Sequence, residues 1–329
     1  MGAGHFDYTS SSDRSATRAA TGATAFVYDK AVKSGKAKGI HPTLDTSLKP
    51  RRESRDVPGK QESRPLAILL DVTGSNINIA NLVIGELHKV MKLIVDGGVV
   101  PDPQVLFGAI GDANSDNYPL QVGEFEADDK LAEANIGNII LEGNGGGQSC
   151  ESYELGLYFL ANQVDSDAWE KRGEKGIAFL IADENYYSKV KREQILDRFG
   201  FDPGEDLSTA EVARQAQEKW DIFILRPQGG YYEDTSIISS WKKIVPNERV
   251  IQVGDWTNIV PMIAGLVSTI VGESIEDTVA GMLDSGFDGK SIDAVKGALV
   301  HVGKNTSPAV AGGMITLPKA SNAPVAKRL

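Results

Sequence analysis

The sequence has one cysteine and four histidines in 329 residues. Because Cys150 has no second cysteine to pair with, the chain has no internal disulfide, and a cytoplasmic location is the expectation. The histidines lie in the amino-terminal arm or on predicted helices: His5, His41, His88 and His301. None of them is placed as a base for nucleophilic catalysis, so we do not predict an enzyme.

The chain also lacks a long hydrophobic run. Its most apolar stretch, residues 259–271, is interrupted by Pro261 and Gly265 and is too short to span a bilayer. The amino terminus is polar and glycine-rich, without the basic and then apolar pattern of a secretory signal. We therefore predict no membrane segment and no membrane partner.

Positive charge is scarce outside one segment. The net charge is −11, yet residues 30–64 carry ten basic and four acidic residues, a balance of +6 that leaves −17 for the remainder. Phosphate binding needs clustered positive charge, so nucleic acid is not an expected partner except through this basic arm. The simpler expectation is that the arm lies against its own acidic domain or stays solvated.

A buried strand followed by oxygen-bearing side chains organises the chain. Residues 65–71 form an apolar run that ends in Asp71, Thr73 and Ser75, and a helical pattern begins at Asn76. The three side chains alternate along the loop, so they can point to the same side. Carboxylate and hydroxyl oxygens are hard ligands that suit Mg²⁺, Mn²⁺ or Ca²⁺. The loop is therefore a candidate cation site, and Mg²⁺ is the expected ion.

The alternation of strands and helices predicts the fold class. Six segments are predicted as strands: residues 65–71, 104–112, 118–125, 176–183, 221–226 and 249–254. The third follows the second after too few residues for a crossover helix, so it should turn back as an antiparallel edge strand. We predict an α/β fold, a doubly wound, mostly parallel six-stranded sheet with one antiparallel edge strand and helices on both faces.

Four regions are predicted along the chain. Residues 1–62 form a flexible amino-terminal arm, and residues 63–272 form the α/β domain. Residues 273–304 carry two helical patterns that should pack on the domain as a hairpin. Residues 305–329 are rich in proline and alanine and are predicted to be a disordered tail.

Acidic residues stand at three predicted strand ends, where open parallel sheets bind their ligands. These are Asp71, Asp112 and Asp183. Aspartate and serine also cap helices, but three acids at three strand ends exceed what capping requires. The motif from Asp71 to Ser75 resembles the first motif of the metal-ion-dependent adhesion site in von Willebrand factor type A domains, usually Asp-x-Ser-x-Ser. In that family the third motif is an aspartate after a later strand, which Asp183 matches.

The second motif of that family departs from the usual pattern here. A threonine normally follows a Gly-Gly pair, and in this sequence Gln148, Ser149 or Glu151 stands nearest to its position. Spacing does not choose among the three. If Glu151 ionises beside Asp71 and Asp183, the site is already negative, and an incoming carboxylate from a partner is repelled. In that case the metal is structural, or the partner recognises something else.

Aromatic residues follow several predicted strand ends at the same edge: Tyr118, Tyr186, Tyr187, Tyr231, Tyr232 and Trp256. Tyrosine and tryptophan are favoured anchors in protein interfaces, so we predict a docking face for a partner protein. The competing interpretation is that half of them pack under neighbouring loops.

Further segments are similar to a broad type A group that includes alpha-kinase-associated proteins and proteins of bacteria and their phages: residues 52–56, 145–153 and 171–176. The resemblance implies a divalent-cation-dependent, non-enzymatic adaptor or assembly component, with an AAA+ ATPase or a phage or mobile-element module as partner. Two alternatives stay open. One is a metal-dependent hydrolase or phosphotransfer accessory that uses the same acids, and the other is a structural subunit that uses its arm and tail.

Overall fold

The centre of the fold is a six-stranded sheet. A computed structural model describes residues 4–72, 74–142, 149–228 and 234–305. Its strands are β1 (Arg52–Ser54), β2 (Ser63–Asp71), β3 (Asp102–Ile110), β4 (Leu120–Val122), β5 (Cys150–Glu151), β6 (Val164–Ser166), β7 (Gly176–Ile181), β8 (Asn185–Tyr186), β9 (Lys189–Val190), β10 (Leu207–Ser208), β11 (Trp220–Pro227) and β12 (Val250–Val253). The main sheet has the order β12-β11-β7-β2-β3-β4, and only β4 is antiparallel to its neighbour. The predicted fold class is confirmed.

Helices cover both faces of this sheet. They are α1 (Tyr8–Thr21), α2 (Val27–Lys33), α3 (Ile77–Asp96), α4 (Asp129–Gly137), α5 (Tyr153–Asn162), α6 (Asp167–Arg172), α7 (Arg192–Phe199), α8 (Thr209–Lys219), α9 (Asp234–Trp241), α10 (Ile259–Ile270), α11 (Ile275–Asp284) and α12 (Gly289–Asn305). On one face α3 packs against α10, and on the other α5 packs against α8. Among the described helices, none has the length and apolar character needed to cross a bilayer.

Strand β2 is buried on both faces, as a central parallel strand should be. Leu66, Ile68 and Leu70 belong to the core beneath α3 and α10, while Ala67 and Leu69 belong to the core beneath α5 and α8. This alternation explains why the sequence of β2 is continuously apolar. It also places the carboxyl end of β2 in the middle of the sheet edge, with a helix layer on each side.

Helix α5 lies unusually close to the sheet. A Cβ atom at Gly156 would stand 2.7 Å from Cδ1 of Ile110 and 3.2 Å from Cδ1 of Leu69. Glycine is therefore required by close packing at this position. Because Gly156 lies one turn after the start of α5, this contact also brings the first residue of the helix, Tyr153, to the end of β2.

The amino-terminal segment differs from the flexible arm that the composition predicts. Phe6 is buried, and α1 packs along α3. Glu133 of α4 accepts hydrogen bonds from Ser11 Oγ at 2.7 Å, Arg14 Nη2 at 2.8 Å and Arg18 Nη1 at 2.9 Å. These partners are more than a hundred residues apart in sequence, so a local reading of a serine-rich segment does not reveal them.

The basic segment lies against the acidic domain, as one of the two expectations for it stated. Its ion pairs reach acids of the domain: Lys49 with Glu124, Arg51 with Asp165, Arg55 with Asp167, and Arg64 with Glu174. The carbonyl of Leu44 also accepts a hydrogen bond from Val122 N at 2.9 Å. This part of the arm therefore covers the outer edge of β4.

Two helices follow the domain. Both α11 and α12 contact α10, and α11 also contacts α3, where Lys92 Nζ lies 2.5 Å from a carboxylate oxygen of Asp284. The domain boundary at residue 272 stays a prediction, because α10 and these two helices share one core. Residues 306–329, most of the predicted tail, lie outside the described residues.

Candidate functional site

Asp71 ends β2 at the carboxyl edge of the sheet and is 1% exposed. Tyr153, the first residue of α5, donates a hydrogen bond from its hydroxyl to Oδ2 of Asp71 at 2.5 Å. Tyr153 is fully buried, and burial together with the charge of Asp71 raises the pKa of its phenol well above the ordinary value. The tyrosine therefore stays protonated and holds one carboxylate oxygen in place.

The rest of the first motif is only partly described. A 3-10 turn spans Gly74–Asn76, and α3 begins directly after it. Thr73 and the side chain of Ser75 lie outside the described residues, as do Gln148, Tyr231 and Tyr232. Their predicted roles stay predictions.

A two-stranded parallel ribbon brings Glu151 into the site. In it, β5 pairs with β8, so that Cys150 stands opposite Asn185 and Glu151 opposite Tyr186. Helix α5 begins only at Tyr153, after this ribbon. The preceding residues Cys150 and Glu151 are extended and form strand β5 of the ribbon.

Ser152 marks this transition between ribbon and helix. Its N–H donates to Gly111 O at 3.2 Å, and its Oγ accepts from Ala113 N at 2.9 Å. These bonds tie the residue to the end of β3 instead of capping α5. The chain on both sides of Glu151 is therefore anchored to neighbouring strand ends.

Glu151 is 2% exposed, and its Oε2 has no hydrogen-bond partner within the described part of the chain. Burial, followed by repulsion from Asp71 and Glu184, raises the pKa of this carboxyl to about 10. Without a positive partner, Glu151 is therefore protonated at neutral pH. A buried acid that carries so large a shift marks a candidate functional site.

Two neighbouring glutamates share this environment. Burial raises the pKa of Glu154 to about 8. Burial and the charge of Asp183 raise the pKa of Glu184 to about 7. One carboxylate oxygen of each, Oε1 of Glu154 and Oε2 of Glu184, is buried without a hydrogen bond to any described residue. The edge of the sheet therefore concentrates acids from several separate segments.

Asp183 follows β7 and is 8% exposed. The neighbouring Ala182 N donates to Leu225 O at 3.1 Å, which continues the pairing of β7 with β11 to this point. The charge of Asp183 acts on Tyr153 as well as on Glu184. Asp183 and Asp71, more than a hundred residues apart in sequence, therefore lie on the same edge of the sheet and act on the same tyrosine.

Asp112 organises the loop after β3. It is 1% exposed, and its carboxylate accepts hydrogen bonds from Asn114 N at 2.9 Å, Tyr187 Oη at 3.0 Å and Ser115 Oγ at 3.1 Å. Ser152 Oγ lies 3.3 Å from the same carboxylate. Both oxygens are thus engaged in a turn, an arrangement that holds the loop in shape.

The residues present fit a hard divalent cation by ligand type. Across the described ranges, no three His, Cys, Asp or Glu side chains lie close enough together to hold a metal by themselves. The sequence predicts further oxygen ligands at Thr73 and Ser75, whose side chains lie outside the described residues. One or two carboxylates, two hydroxyls and water form the oxygen set that Mg²⁺ accepts.

The aromatic residues near the edge divide into two groups. Tyr186 packs edge-on against Trp241, with ring centroids 4.9 Å apart, and its hydroxyl donates to Ser240 O at 3.0 Å. The hydroxyl of Tyr187 is engaged by Asp112. Tyr118 is half-buried, whereas Trp256 is 38% exposed in a 3-10 turn after β12. Part of the predicted docking face therefore serves internal packing.

Sequence reasoning missed several residues of this edge. The sequence analysis assigns no individual role to Ser152, Tyr153, Glu154, Glu184 or Trp241. The indole of Trp241 donates to Glu184 O at 3.1 Å and packs against Tyr153 and Tyr186. The available signal was the run of polar residues between Glu151 and Glu154, which is unusual inside a buried helix start.

Comparison with protein-family models gave no match, and comparison with curated proteins gave none either. Solved structures gave matches at low identity. The pilus adhesin SpaC of Lactobacillus rhamnosus GG, in its open conformation, matches with 11% identity and a TM-score of 0.44 over 66% of this chain and 31% of its own. Proximal thread matrix protein 1 from the mussel byssus matches with 12% identity and a TM-score of 0.39 over 62% and 47%.

A von Willebrand factor type A protein from Catenulispora acidiphila matches with 13% identity and a TM-score of 0.36 over 64% of this chain and 43% of its own. Each match spans less than half of the other protein's length. The sheet order and the helices on both faces are consistent with a von Willebrand type A or Rossmann-like fold.

Proposed function

We propose that this chain is a divalent-cation-dependent, non-enzymatic protein-binding module, with Mg²⁺ as its ion and Mn²⁺ or Ca²⁺ as substitutes. The observation that carries the proposal is the buried carboxylate group at the edge of the sheet. Asp71, Glu151 and Asp183 come from three distant segments, and the buried Oε2 of Glu151 has no donor among the described residues. Acids confined in this way are stabilised by a cation.

The position of the group favours binding to another protein. Ligands of doubly wound sheets bind at the carboxyl edge of the strands, where this group lies. Trp256, with 38% of its surface exposed, and Tyr118 give that edge partly exposed aromatic groups. A cytoplasmic adaptor that acts with an AAA+ ATPase or within a phage or mobile-element module fits this proposal through the type A resemblance of the motif.

Titration calorimetry of the full chain with Mg²⁺, Mn²⁺ and Ca²⁺ tests the cation. We expect binding of at least one ion, lost in Asp71→Ala and kept in Asp13→Ala, which removes an exposed aspartate of α1. If the wild-type chain takes up none of the three ions while folded, the proposal fails.

Affinity purification from the native host tests protein binding. The tagged wild-type chain is compared with Asp71→Ala, in Mg²⁺ and in chelator. A partner that depends on the cation should be retained only by the wild type in Mg²⁺. Retention that is equal in all four conditions would mean that recognition does not use this edge.

A further inference from the structure

Glu151 is held in place by its backbone. The pairing of β5 with β8 fixes the residue itself, and the bonds of Ser152 and Tyr153 fix the two residues after it. The side chain therefore has little freedom to turn towards solvent. Its Oε2 stays buried with no hydrogen-bond donor in the described part of the chain. A buried polar oxygen in this state costs free energy unless a partner is supplied.

The leading charges that act on Glu151 are all negative. They come from Asp71, Glu184, Asp116 and Asp112, in that order. A buried carboxylate oxygen that lies among other acids and has no donor within the described ranges is satisfied by a positive partner. A divalent cation beside Asp71 can be that partner, because it coordinates Oε2 of Glu151 and offsets the negative charge of the neighbouring acids.

We propose that Glu151 is itself a ligand of the cation and closes, from within the chain, the site that adhesion-type domains offer to an acidic residue of their partner. The inference rests on the proposed function. Asp71 and Glu151 are the two carboxylates of this closed site. Two carboxylates neutralise a divalent ion, so the closed site has no net charge left to attract a third. The partner therefore binds this edge without donating a carboxylate to the ion.

Terbium luminescence tests the role of Glu151. Tb³⁺ replaces hard divalent cations, and the Tyr153 ring, hydrogen-bonded to Asp71, should sensitise its emission. Lifetimes in H₂O and D₂O report how many water molecules the ion holds. The variants are Glu151→Thr, which introduces the threonine that is usual in adhesion-type sites, and the isosteric Glu151→Gln. Glu142→Gln is the matched control, because it removes a half-buried acid of the same edge.

We expect Tb³⁺ affinity to fall by about tenfold or more in both Glu151 variants and to stay within about twofold in the control. Glu151→Thr should also gain at least one bound water, because the shorter side chain removes one ligand of the ion. Circular dichroism establishes that each variant is folded, and Glu151→Gln decides the matter if Glu151→Thr does not fold.

The outcomes separate the two proposals. Unchanged affinity and water count in the Glu151 variants, with normal binding by the wild type, would overturn this inference and leave the proposed function standing. Absence of Tb³⁺ and Mg²⁺ uptake by the wild type would overturn the proposed function. A wild-type water count equal to that of Glu151→Thr would mean that Glu151 occupies no coordination position, and this inference would be wrong.

Discussion

Substitution of Tyr153 by phenylalanine removes a single oxygen from the buried edge of the sheet. That oxygen donates to Oδ2 of Asp71 at 2.5 Å, and both residues are at most 1% exposed. The phenylalanine ring fills the same space and keeps the edge-on contact with Trp241, whose ring centroid lies 5.5 Å away. The change therefore isolates the hydrogen bond from the packing.

The expected cost follows from the charge of the acceptor. Hydrogen bonds to charged groups contribute about 1.5–3 kcal/mol, and the 2.5 Å distance is typical of a hydroxyl that donates to a carboxylate. Water does not reach Asp71 easily to replace the lost donor, since the residue is buried. We therefore expect the free energy of unfolding of Tyr153→Phe to fall by about 1.5–3 kcal/mol when no cation is present.

Urea unfolding in chelator measures this loss. The slope of the transition should stay the same, because the surface exposed on unfolding is unchanged. Tyr158→Phe is the control on the same helix; its ring packs against Phe199, and we expect its cost to stay near 1 kcal/mol or less. In a double-mutant cycle with Asp71→Ala, the two changes should be coupled by at least about 1 kcal/mol. Additive changes would refute the assignment of this bond.

Three further predictions concern the framework around the site. Arg52→Met should lower the free energy of unfolding by about 3–5 kcal/mol, because the buried guanidinium donates hydrogen bonds to the carbonyls of Val122 and Gly123 at the edge strand. Arg51→Met, which removes an exposed ion pair with Asp165, should cost less than about 1 kcal/mol. Gly156→Ala should cost about 1–3 kcal/mol, whereas Gly297→Ala, on an open helix surface, should be neutral or stabilising in the same urea assay. Burial alone would raise the pKa of Glu133, but its hydrogen bonds to Arg14, Ser11 and Arg18 outweigh burial and bring the pKa below the ordinary 4.5. The free energy of unfolding should therefore fall as the pH drops below about 4.5. Glu133→Gln should flatten this pH dependence in thermal melts.

The fold class was predictable because the signals that define it are local. The continuous apolar run of β2 and the return of β4 after a short loop are visible in the order of residues. The amino-terminal helix was not predictable in the same way. Its stability in the fold depends on Glu133, a residue that only the folded chain brings within 2.8 Å of Arg14. The composition shows only that the segment is rich in serine, and it does not reveal that Glu133 is its partner.

For the candidate site, the sequence allowed us to predict which acidic residues follow the strand ends. Parallel strands bring their carboxyl ends to one edge, so Asp71 and Asp183 were expected to share it. Gln148 lies outside the described residues, so the choice among Gln148, Ser149 and Glu151 stays open. The β5–β8 pairing that holds Glu151 could not be predicted from the sequence, because the ribbon has only two residues per strand. The donor from Tyr153 was hidden for a related reason. Its spacing on α5 fits a core position, and the hydroxyl finds its partner only across the sheet edge.

The proposed cation would bind next to the aromatic groups of this edge. Glu151 stands opposite Tyr186 in the ribbon, and Tyr186 packs on Trp241, whose indole also holds the backbone of Glu184. Direct contacts therefore join the acidic residues to the aromatic groups beside them. A ligand that binds only the folded state stabilises it by an amount that grows with its concentration over its dissociation constant. If the proposed ion binds beside Glu151, we expect it to stabilise the ribbon and the aromatic cluster together.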